Sequence, residues 1–136
     1  MKSLEADPYT EQMLLTLTRK LLESIAAADW QTYSDLCDPT LTAFEPEARG
    51  HLITGLAFHK YYFDLQRSEG VRHTTLCAPK VRMLSDGAAV VTYVRLTQLL
   101  DDEQRPKTTC YEETRIWQRQ EDGRWRHVHF HRSTSL

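Results

Sequence analysis

The sequence predicts an α+β domain: helices first, then a curved antiparallel sheet with the helices packed on one face. Three observations carry this reading. Leu14, Leu17, Leu21 and Ile25 recur at helical spacing, and Leu22 widens the stripe. From His73 onward the period changes to that of strands. Asp86-Gly87 and Asp122-Gly123 are hairpin signals between those later runs.

The elements follow in order. A first helix spans about Pro8 to Ala28, with Asp7 as cap and Pro8 in the first turn. A second starts near Asp29 and ends at Asp38-Pro39, with Trp30, Tyr33 and Cys37 on one face. Leu41 to Glu45 reads as a short strand stopped by Pro46. Thr54 caps a third helix running to about Leu65, whose face is crowded by Phe58, Tyr61, Tyr62 and Phe63. The strands are His73–Ala78, Lys80–Leu84, Ala88–Leu100, Lys107–Gln120 and Arg124–Ser133, with a polar loop Asp101–Pro106 between the two longest.

Size and charge exclude several classes. At 136 residues the chain reads as a single domain over 1–136, with an ordered core at about 8–133. Lys and Arg total 17 against 19 Asp and Glu, a net charge of −2, which does not fit a basic nucleic-acid binder. No apolar run reaches the roughly 20 residues that span a bilayer, and Met1 to Thr10 has no signal-like stretch. Cys37, Cys77 and Cys110 are odd in number and far apart, so they read as free thiols. A cytoplasmic location follows.

Alternation sorts the chemistry onto two faces. Val91, Tyr93, Arg95 and Thr97 share one, with Tyr111, Glu113, Arg115 and Trp117 and with Val128, Phe130 and Arg132. A two-residue Asp122-Gly123 turn pairs Trp117 with Val128, Arg115 with Phe130 and Glu113 with Arg132. Arginines under helices must be paired or line a wet cavity. Two readings stay open. One is an anion pocket of Arg95, Arg115 and Arg132, suited to a carboxylate, with His59 nearby. The other is an internal Arg95–Glu113–Arg132 ion-pair network. Glu45-Pro46-Glu47 puts two carboxylates on one side of extended chain, either for acid–base work or as a solvated bend.

The opposite face carries Val94, Leu96, Leu100 and Ile116 among polar side chains, and His127, His129 and His131 alternate so that all three join it. Such a mixture suits a subunit interface rather than a metal site. No nucleotide-binding, nucleophile-elbow or kinase motif is present, so neither catalytic residue nor cofactor is assigned.

Ordered blocks along nearly the whole chain carry a resemblance. They are Thr42-Ala43-Phe44-Glu45-Pro46-Glu47-Ala48, Gly55-Leu56-x-Phe58-His59, His73-Thr74-Thr75, Tyr93-Val94-Arg95-Leu96-Thr97-Gln98, Glu112-Glu113-Thr114-Arg115-x-Trp117 and Val128-His129-Phe130-His131-Arg132-Ser133. In this order the chain resembles the association (hub) domain of calcium/calmodulin-dependent protein kinase II. The resemblance implies a nuclear-transport-factor-2-like cone, its sheet wrapped around the long first helix. It implies a non-enzymatic scaffold whose partners are copies of itself: dimers stacked into a closed two-layered ring of about twelve or more subunits. It also implies a deep cavity with Arg95, Arg115 and Arg132 in its wall, His59 near the mouth and Glu113 beside them. A kinase domain in a longer protein, related hub subunits and a small carboxylate are the further partners. The rival reading is a small-molecule-binding protein or a lyase or isomerase using His59 with Glu45 or Glu113.

Overall fold

The computed structural model describes residues 7–65 and 72–134; residues 66–71 of the expected core lie outside them. Helix α1 (Pro8–Ala26) starts where Asp7 accepts a hydrogen bond from the Tyr9 amide, with Pro8 at the first turn. Helix α2 (Trp30–Leu36) is capped by Asp29, which accepts from the Thr32 amide and hydroxyl at 3.2 and 2.6 Å. It ends before Asp38-Pro39, earlier than expected. The residue preceding a proline is steered out of the helical region, and Asp38 folds onto the Thr40 amide instead. Asp38-Pro39 therefore lies inside strand β1 (Cys37–Phe44).

Thr54 does not cap a helix. It belongs to the two-residue strand β2 (Ile53–Thr54), opposite Thr42. Gly55 then turns the chain at φ +79°, a conformation open to glycine, and helix α3 runs over Ala57–Leu65. Its aromatics do not share a face, because adjacent helical residues point about 100° apart. Phe63 is buried, whereas Tyr61 is 60% exposed.

The two short strands expected after His73 are one, β3 (His73–Ser85), broken in register between Cys77 and Lys80, where Ala78 adopts φ +49° ahead of Pro79. Strands β4 (Ala88–Leu100), β5 (Pro106–Arg119) and β6 (Trp125–Arg132) follow. The sheet order is β2-β1-β6-β5-β4-β3. It is not wholly antiparallel, since β1 runs parallel to β6.

One register shift matters for function. The last hairpin closes on Gln120 and Arg124, leaving a three-residue loop with Gly123 at φ +82°. A bulge between Ile116 and Trp117 then removes the offset, leaving Val128 unpaired. Trp117 faces His127, not Val128, while Arg115–Phe130 and Glu113–Arg132 pair as expected. His127 therefore points inward and is fully buried; only His129 and His131 keep the expected side.

Leu14, Leu21 and Leu22 of α1 pack with Val81, Val91, Tyr93 and Trp117 of the sheet. Trp117 Nε1 donates to Thr18 Oγ1 at 3.2 Å, and Thr18 donates to the Leu14 carbonyl. Thr18→Val preserves shape but strands a buried indole N–H. It should lower stability by about 1–3 kcal/mol in denaturant unfolding.

Candidate functional site

The inner face of β4, β5 and β6 brings a polar cluster under the helices. Tyr93 lies opposite Glu113, and Glu113 opposite Arg132. Arg115, a fully charged side chain, is 1% exposed. Its Nε donates to Tyr93 Oη at 2.6 Å, and its Nη2 donates to Glu113 Oε1 at 3.1 Å. Tyr93 Oη in turn donates to Glu113 Oε1 at 2.6 Å. The Arg115 guanidinium also lies 4.4 Å over the Phe130 ring.

The third edge of the fork meets His127: Arg115 Nη1 is 3.3 Å from His127 Nε2. Arginine only donates, so Nε2 must accept and the imidazole proton stays on Nδ1. Nδ1 lies 3.7 Å from Cys37 Sγ, so that proton faces the sulfur. Burial, and then the Arg115 charge, hold His127 well below the usual histidine range. Burial pushes the Cys37 thiol up to about 12, so it is a neutral packing group. Burial alone would raise Glu113, but the Arg115 and Arg95 charges outweigh it and keep its carboxyl below the ordinary range.

The internal network thus differs in one member from the expected one. Glu113 joins Arg115 and Arg95, and Arg132 turns away to Glu47. Arg95 Nε stands 3.3 Å from Glu113 Oε2 in an ion pair whose N–H is not aligned for a hydrogen bond.

A pocket of about 130 Å³ opens beside this network. Arg95, Arg115, Arg132, His59 and Glu113 all line it, so the five residues singled out in sequence converge. So do two carboxylates whose direction the sequence left open. Glu45 Oε1 is 3.0 Å from His59 Nε2, and Glu47 pairs with Arg132. The sequence marked the pair but not the geometry: Glu45 ends extended chain, whereas Pro46–Ala48 forms a 3-10 turn, so Glu47 reaches the pocket from that turn and not by strand alternation. Tyr93 was missed as a bridge, because the length of the loop after β4 sets its register with Glu113. His59 Nδ1 is buried without a partner among the described residues. Leu96, Ile116, His129 and His131 lie apart from the pocket, on the outer face of the sheet.

The buried neutral imidazole has a pH signature. A histidine with a depressed folded-state pKa stabilises the fold above its unfolded value, and that stability is lost as pH falls. From about pH 6.5 downward, stability should fall by about 1.4 kcal/mol per pH unit from this one proton. His129, lowered by burial and by His131, adds a smaller slope of the same sign. Thermal unfolding from pH 7 to 5 should be markedly flatter in His127→Gln; an unchanged slope would refute the assignment.

Comparison with known proteins identifies the family of the chain. Residues 10–136 match the family model described as the calcium/calmodulin dependent protein kinase II association domain. The chain is 46% identical over 127 residues to the kinase type II subunit delta of Oryctolagus cuniculus, covering 92% of this chain but 24% of that protein. The chain thus spans about a quarter of that relative's length. The association domain of the C. elegans kinase superposes with a TM-score of 0.85 at 45% identity, over 90% of this chain and 94% of that one. The S. rosetta hub gives 0.81 at 42% identity, over 98% and 100%. A nuclear transport factor 2-like protein of Salmonella enterica, 20% identical with a TM-score of 0.75 over 92% and 90% of the two chains, shares the fold. The curved sheet on its N-terminal helix is therefore nuclear-transport-factor-2-like, and the chain belongs to the calcium/calmodulin-dependent protein kinase II association-domain family.

Proposed function

We propose that this domain is a self-assembling, non-catalytic hub: dimers closing into a two-layered ring of about twelve or more subunits, which gathers tethered kinase domains in the cytoplasm. The observation that carries this is the outer face of the sheet. The helical residues of both buried clusters meet the sheet from inside. Outside, Val94, Leu96 and Ile116 are only half-buried, and Leu100 and Phe44 are 50% and 40% exposed. His129, held by Thr42 Oγ1 at 2.7 Å, and His131 stand beside them. An apolar band with polar insertions fits a protein–protein contact.

Native mass spectrometry over a dilution series tests the assembly. The wild type should persist as a complex of about twelve or more subunits. Ile116→Asp and Leu96→Asp should fall to small species, because an unpaired charge enters a desolvated contact. A wild-type monomer at micromolar concentration would overturn the reading.

The inner pocket, on the same proposal, receives a small carboxylate through its arginines. Glu47 already occupies Arg132, so an entering carboxylate must displace it. Glu47→Gln removes this internal competitor, and Glu47 is partly exposed, so the fold should survive. Calorimetric titration with acetate and butyrate should show about tenfold tighter binding in the variant. Equal or weaker binding would refute the competition.

A further inference from the structure

Beyond the inner pocket the cavity continues into an outer chamber of about 280 Å³ between the end of α1 and strands β3 to β6. Arg95 and Arg132 line both spaces and so form the partition between them. Tyr111 fixes this partition. The Arg95 guanidinium carbon lies 5.4 Å from the Tyr111 ring centre and that of Arg132 lies 4.8 Å from it. One aromatic ring thus holds two guanidinium groups near each other, like charges that would otherwise separate.

The two spaces differ in charge. Inside, the arginines meet Glu113 and Glu47. Outside, Arg72 joins Arg95 and Arg132, and no carboxylate lines the chamber among the described residues. The hydroxyl residues Thr74, Thr97 and Thr109 stand around them. Arg132 Nε is buried without a hydrogen-bond acceptor, and Arg95 Nε, although ion-paired with Glu113, makes no aligned hydrogen bond. Leu22, Ile25 and Leu99 complete the wall on the apolar side.

We propose that the outer chamber binds the phosphoryl group of a small phosphomonoester, gripped by Arg72, Arg95 and Arg132. The donor inventory decides between oxyanions. A carboxylate offers two oxygens and one negative charge, too few for three guanidinium groups and three hydroxyls. A phosphomonoester offers three terminal oxygens and about −1.5 to −2 charge near neutral pH. The wall of the outer chamber itself carries three arginines and no carboxylate among the described residues, so the more highly charged anion is the better neutralised there. Its organic part fits the apolar wall. This inference adds to the inner-pocket reading and does not depend on it, since the phosphoryl group need not displace Glu47.

Isothermal titration of the whole chain with inorganic phosphate and with glycerol phosphate tests the proposal, with chloride and acetate at matched ionic strength as references. Both phosphates should bind, the ester more tightly. Arg72→Ala changes an exposed side chain, so its thermal midpoint without ligand should match the wild type. Its affinity for both phosphates should fall about tenfold, the loss of one charge-assisted contact. Thr109→Val should weaken both phosphates while leaving acetate unchanged. Phosphate heats no larger than those of chloride would overturn the proposal, as would equal binding by wild type and Arg72→Ala. Acetate binding without phosphate binding would overturn it while leaving the inner carboxylate pocket standing.

Discussion

A positive charge that cannot reach water organises this domain. Arg115 lies on the central strands with its guanidinium closed off, and an unpaired ion there would cost several kcal/mol. Each edge of the fork therefore has a partner supplied by a different strand. Tyr93 comes from β4, Glu113 from β5 and His127 from β6. The acceptors themselves need preparation. Glu113 must stay ionised, which a second arginine, Arg95, helps to enforce. His127 must stay neutral, which burial and Arg115 enforce together. Even the bulge at Val128 belongs to this arrangement, because it turns His127 inward.

The same strands carry two chemistries back to back. Glu113 and Arg115 point in, and the alternating Thr114 and Ile116 point out. On the proposed reading, ligand and assembly therefore act on opposite sides of one layer of backbone. A shift in the ion pairs inside has a short mechanical route to the contact outside. The sheet keeps the two environments apart, and the Trp117–Thr18 hydrogen bond ties its inner face to α1.

Much of this was legible in the sequence, and the misses have physical causes. The leucine stripe of α1 and the period-two runs marked helix and strands because each buries a single face. The convergence of Arg95, Glu113, Arg115 and Arg132 followed from parity alone. Parity failed at His127, because neither a three-residue turn nor a bulge leaves a local signature as strong as Asp-Gly. The two errors cancel, which is why the pairs nearer the strand end came out correctly. Ion-pair choice was not legible either. Arg132 faces Glu113 across the register, yet it turns to Glu47, which arrives from a separate loop.

The break at Ala78-Pro79 has a consequence for how such chains meet. Strand β3 is the long outer strand of the sheet. A straight free strand of that length is a template for open-ended fibril growth. Here a proline without an N–H and a left-handed alanine interrupt the ladder, and Lys80 and Arg82 follow as exposed charges. Edge-to-edge polymerisation is thereby disfavoured. On the proposed assembly, closing this route keeps the growth of the complex finite.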